Sequence, residues 1–107
     1  MIEETIKEAI RIKKPVEFEY VRADKINGKR IGNPHCLFAH PGTKNTAVHI
    51  FQTAGVSDSD LSVGLPWRLF IVSFIENLKI LEDAAAFSVA EGYNPDSPLY
   101  AESIAKV

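Results

Sequence analysis

Arg68 is the side chain of this chain whose setting most needs a chemical explanation. It lies in Pro66-Trp67-Arg68-Leu69-Phe70-Ile71-Val72-Ser73-Phe74-Ile75, the densest apolar run of the sequence. A cation there must meet water, a carboxylate or a ligand, because an unpaired buried charge is too costly. Its planar guanidinium presents a fork that matches phosphate or carboxylate oxygens. The alternative is a structural ion pair with Glu17, Glu19 or Glu76. Trp67 offers a plane on which a base or ring can stack, or, beside Pro66 at the start of a strand, partly buried packing.

Other reactive residues form weaker patterns. His35, Cys36, His40 and His49 are metal-ligand types, but an extended strand points residues 35 and 40 to opposite faces unless a bulge intervenes. No Cys-x-x-Cys or His-Glu-x-x-His spacing accompanies them, so no metal is expected. Ser57-Asp58-Ser59-Asp60 lacks the downstream ligands of a calcium loop. Nothing in the sequence places a base beside either serine, and the segment reads as a solvated loop. No glycine-rich phosphate cradle is present. Without an acid–base pair or a nucleophile constellation, the expectation is a protein that is not an enzyme and has no cofactor.

The chain has 107 residues, 46% apolar and 24% charged, which suits one globular domain with one core. No apolar run reaches the roughly 18 residues that span a bilayer. A single cysteine excludes an internal disulfide framework and points to a reducing, cytoplasmic setting. Residues 1–44 carry nine Lys/Arg against six Asp/Glu, a balance of +3, whereas residues 45–107 carry three against eight, a balance of −5. An overall net charge of −2 argues against a general nucleic-acid binder.

The elements that would position these residues follow from periodicity. Ile2, Ile6, Ala9 and Ile10 recur at helical spacing, with Glu3 and Glu4 early and Lys13 and Lys14 late, predicting a helix over 2–13 that Pro15 stops. Val16 to Tyr20 alternates, with the two glutamates facing outward. Asn27-Gly28 is a tight-turn signal, and a second strand is predicted from Lys29 to about Ala39, with Pro34 marking a bend, bulge or edge. A third, Thr46 to Thr53, is apolar on both faces, as a central strand requires. The loop 55–64 precedes the Arg68 strand. A break at Ser73–Asn77 and a last short strand, Leu78–Leu81, are expected next. Ser97 and Pro98 are expected to open a final helix whose apolar face is Leu99, Tyr100, Ile104 and Val107. Short strands with no crossover helices predict a mainly β, α+β protein: a small antiparallel barrel of four or five strands, about 16–82, between two helices, with 83–107 as a C-terminal extension.

The landmarks Ile6–Ile10, Val16-Glu-Phe-Glu-Tyr20, Lys29-Arg30-Ile31 with Pro34 and Leu37, Val48–Phe51, Arg68-Leu-Phe70 through Ile75 and Phe87 resemble the WYL domain family. These are bacterial ligand-sensing modules with a barrel like those of Sm and SH3 proteins. Ala47-Val48-His49 stands where the Trp-Tyr-Leu tripeptide would fall, and only about fifteen residues precede the first strand. The resemblance therefore implies a stand-alone regulatory module lacking the tripeptide. It implies an anion-contacting role for Arg68, a basic site at Arg30, and Tyr20, His35 and Gln52 lining the same pocket. The expected ligand is small and anionic or nucleotide-like. Two alternatives stay open. One is a structural or interaction protein that forms homo-oligomers or docks on a partner protein. The other is single-stranded nucleic-acid binding through the basic half and Trp67. No membrane role is expected.

Overall fold

The computed structural model describes residues 2–57 and 66–107. The first helix, α1 (Ile2–Ile12), buries Ile6, Ala9 and Ile10 and carries Glu3 and Glu4 in its first turn. It ends in a Schellman-type cap. Lys13 adopts φ 56°, and the Lys14 amide reaches back to the Ala9 carbonyl at 3.0 Å. Pro15 then prevents another turn.

Among the described residues, six antiparallel strands form one sheet. They are β1 (Val16–Tyr20), β2 (Lys29–Ala39), β3 (Thr46–Gly55), β4 (Trp67–Ile71), β5 (Ile75–Ile80) and β6 (Ser103–Lys106). Their order is β4-β3-β2-β1-β5, with β6 also on β2. The long β2 shares its free side between two partners: residues 29–32 pair with β1, and residues 36–38 pair with β6. The outer strands β4 and β5 share no ladder among the described pairings; the 3-10 turn Val72–Phe74 joins them directly.

Each face of the sheet has its own core. On the inner face, Val16, Phe18, Tyr20, Leu37, Val48, Ile50, Phe70 and Ile75 close on α1. On the outer face lie Cys36, Phe38, Ala47 and Tyr100, with Tyr93 and Leu99 against them. Residues 81–102 wrap this outer face, which is why β3 reads as apolar on both sides.

Two sequence expectations are corrected. The final helix is a single 3-10 turn, Pro98–Tyr100, followed by strand β6. Ser97 does cap that turn, its hydroxyl accepting from the Leu99 amide at 3.3 Å. The turn stops because Cys36–Phe38 of β2 presents a free edge, and residues 103–106 gain long-range pairing there that a short isolated helix lacks. Ala105 and Val107 then face the inner core, while Ile104 lies 43% exposed. The second correction concerns the Arg68 strand, which ends at Ile71. The break comes at 72–74 and the last strand starts at Ile75, so the apolar run is shared by two strands and a turn. The Ser57–Asp60 loop falls mostly on residues 58–65, outside the described residues.

Candidate functional sites on two faces

Strand register sorts the six candidate residues onto opposite faces. Residues directly opposed on antiparallel strands point the same way. Arg68 opposes Ile50 and Phe70 opposes Val48, so both share the inner face. Phe18 opposes Arg30, and Gly32 opposes Gln52, which puts Arg30 and Gln52 there too. Tyr20, two residues beyond Phe18, completes the group. Four of the six residues therefore gather at one end of the inner face.

Arg30 is sealed, only 1% exposed. Its guanidinium carbon sits 5.3 Å from the Phe70 ring centre and 5.8 Å from that of Tyr20, and Nη2 donates to the Ile26 carbonyl at 3.0 Å. Cation–π contact and backbone acceptors are how a guanidinium tolerates such burial. The Tyr20 hydroxyl accepts the Ile71 amide at 3.0 Å, tying β1 to the end of β4. Gln52 is fully buried. Its amide nitrogen donates to the Ala54 and Val56 carbonyls at 3.1 and 2.7 Å, while Oε1 accepts no hydrogen bond among the described residues. Arg68 is half-buried. Its Nε donates to the Ser57 hydroxyl at 3.3 Å and Nη1 to the Trp67 carbonyl at 3.0 Å. Glu17, one carboxylate expected to pair with Arg68, is held instead by Lys29 and Lys79 at 3.7 and 3.3 Å. Glu19 accepts from Asn77 at 2.7 Å.

His35 and Trp67, expected in the same pocket, lie on the outer face. The cause is a bulge. Pro34 cannot donate to the ladder, and the register shifts between Pro34 and Cys36, so His35 is inserted between two paired residues. Both His35 and Cys36 then contribute to the outer face. The His35 ring packs against Trp67, Phe87 and Tyr93 at 4.8, 5.0 and 5.0 Å. Trp67 also contacts Phe51 at 5.3 Å and donates its indole N–H to the Glu91 carbonyl at 2.9 Å. These contacts favour packing over base stacking for Trp67.

The outer face carries ionisable groups held uncharged. The Asn33 carbonyl, 2.8 Å from His35 Nδ1, can only accept, so Nδ1 bears the proton. Nε2 then accepts the Ala90 amide at 3.0 Å. Burial holds the His35 pKa below its usual value, the Asn33 carbonyl opposing. His49 is lowered by burial and, secondarily, by the charge of His40. The Tyr100 hydroxyl lies 2.6 Å from His49 Nδ1, and burial pushes its pKa up to about 12. Burial likewise raises the Cys36 thiol to about 11, which keeps it a thiol at neutral pH.

The sequence offers His49 beside His35 only as a metal-ligand type, and gives no local pattern that joins Phe87, Tyr93 and Tyr100 to them. The available signal was the apolar outer side of β3, which required some later segment to cover it. No family model, curated protein or solved structure matches this chain.

Proposed function

We propose that this chain is a small, non-enzymatic binding module. Its sheet is read as a strongly curved barrel of the Sm and SH3 kind, as in the WYL domains that its landmarks resemble. Two features support that curvature: the one-turn link between β4 and β5, and the Tyr20–Ile71 bond that carries β1 to the end of β4. The ligand is small and anionic or nucleotide-like, and it meets the inner face at its Arg68 end.

The observation behind this reading is the gathering of Tyr20, Arg30, Gln52 and Arg68 on that face. Their roles differ. Arg68, half-buried, makes the direct contact with an anionic group. Arg30 is sealed, so it contributes positive potential from behind rather than touching the guest. Gln52 Oε1 supplies an acceptor for a hydroxyl or amino group, since a buried acceptor without a donor is costly.

The test is equilibrium binding of inorganic phosphate and of linear and cyclic mononucleotides to the full chain, with native mass spectrometry for retained ligand. Arg68→Ala is expected to weaken binding about tenfold or more, because a hydrogen bond to a charged group contributes about 1.5–3 kcal/mol. Arg68→Lys, a point charge without the fork, should recover part of it. Equal affinities for wild type and Arg68→Ala would remove the assignment.

A further inference from the structure

The outer face carries an arrangement that the binding reading does not use. Residues 81–97 cross it with no regular strand or helix, and side chains of the sheet hold them there. His35 takes the Ala90 amide and Trp67 donates to the Glu91 carbonyl. The Tyr93 hydroxyl donates back to the His35 and Val107 carbonyls at 3.3 and 3.1 Å. Backbone bonds fix the beginning of the segment: Leu81 N–H to the Pro15 carbonyl at 2.9 Å, and Phe87 N–H to the Lys13 carbonyl at 2.8 Å.

We propose that His35 is a proton-operated latch for this strap. Uncharged, it holds the Ala90 amide through Nε2; charged, it lets residues 88–97 leave the outer face. The geometry leaves no other way to accommodate the second proton. That proton must sit on Nε2, where it would face the Ala90 N–H, a donor set against a donor. Nδ1 is already committed to the Asn33 carbonyl. The ring is fully buried among Trp67, Phe87 and Tyr93, so an imidazolium reaches water only if the strap moves.

The groups facing it from each neighbouring element do not compensate the charge. On β2 there is Cys36, on the strap Tyr93, on η2 (Pro98–Tyr100) Tyr100, and on β3, behind Trp67, His49. Burial keeps all four neutral near pH 7. Glu91 and Lys106 flank the strap from exposed positions. Arg68, beside Trp67, points to the other face and would repel rather than neutralise a cation.

The sign follows from proton linkage. The open strap leaves an ordinary imidazole that titrates near 6.5, whereas the closed form binds its proton less readily. Above that value neither form is charged and the strap stays closed. As pH falls below it, the opening equilibrium rises by up to about tenfold per pH unit, until the closed-state value is passed. This is independent of the Arg68 site, which lies on the opposite face.

The experiment is amide hydrogen exchange of the full chain at pH 7.5 and 5, corrected for intrinsic rates, with emission of Trp67, the only tryptophan, recorded alongside. Protection of the Ala90 and Tyr93 amides should fall about tenfold or more, and Trp67 emission should shift to the red. Amides of the β1–β2 ladder should keep their protection. His35→Gln supplies a donor and an acceptor with no titration, and should abolish the pH dependence. Protection unchanged at pH 5, or lost equally across the whole sheet, overturns the proposal. A folded His35→Gln that still opens would do so too, placing the response on His49. If His35→Gln does not fold, the wild-type exchange pattern decides alone.

Discussion

Phe18→Ala is expected to lower the free energy of unfolding by about 4 kcal/mol, read from urea denaturation of the full chain. Phe18 is fully buried in the middle of β1, and its ring meets Phe70 edge-on at 4.9 Å. Truncation removes the apolar burial of the ring and leaves a cavity that few neighbours can fill. Val16 and Tyr20 are on the same stiff strand, and Ile6 and Ile10 are held by α1. A loss of this size is a large share of the roughly 5–15 kcal/mol that separates folded from unfolded small domains. Leu69→Ala is the control. That side chain is 38% exposed on β4 and should cost well under half as much. A Phe18→Ala loss below about 1.5 kcal/mol would mean that the inner core is not packed as described.

Gly55→Ala is the second large effect, expected at about 3 kcal/mol by the same measurement. Gly55 ends β3 at φ 90°, a backbone region that side chains rarely adopt. A Cβ there would lie 2.2 Å from the Lys29 carbonyl oxygen and 2.7 Å from Arg30 Cα, both backbone atoms that cannot swing aside. The β2–β3 pairing would have to open at its Arg30–Gly55 end. Val56 donates to Lys29 there and accepts from Gln52, so the mutation should also disturb the Arg30 and Gln52 positions. Gly42→Ala provides the contrast. Its added Cβ would meet only the His40 ring, at 3.3 Å. That side chain can move, and the change should be within about 0.5 kcal/mol. Equal effects at the two glycines would refute the steric argument.

Much of the architecture was readable from local pattern. The alternation Val16-Glu-Phe-Glu-Tyr20 set the inward face of β1, since period two leaves no other way to bury the apolar set. The Pro41–Asn45 break bounded β2 at its Ala39 end. Asn27-Gly28, however, is not the tight turn expected: the chain turns earlier, where the Lys25 amide bonds the Arg22 carbonyl at 3.0 Å, and Gly28, at φ 135°, leads into β2. Pro34 marked the bulge because a residue without an amide hydrogen interrupts any ladder. Arg30, Gln52, Tyr20 and Arg68 were assigned to one place through the family resemblance, and the register puts them on one face. His35 and Trp67 were not separable from them by that route. A one-residue bulge inverts which side a residue faces, and Trp67 is adjacent to Arg68 on a strand whose two faces are both apolar.

The sequence by itself determined the helix, the first three strands and the turn between β2 and β3. In each case the deciding interaction lies within a few residues: a cap, a proline, a glycine turn or an alternating apolar set. Tertiary structure alone decided that residues 103–106 are a strand, that the Arg68 run splits at Val72, and that residues 81–97 lie over an aromatic face where His35 accepts the Ala90 amide. Those outcomes depend on edges and surfaces contributed by residues about 50 to 70 positions away, and local propensity is too weak to oppose the burial and backbone pairing gained there.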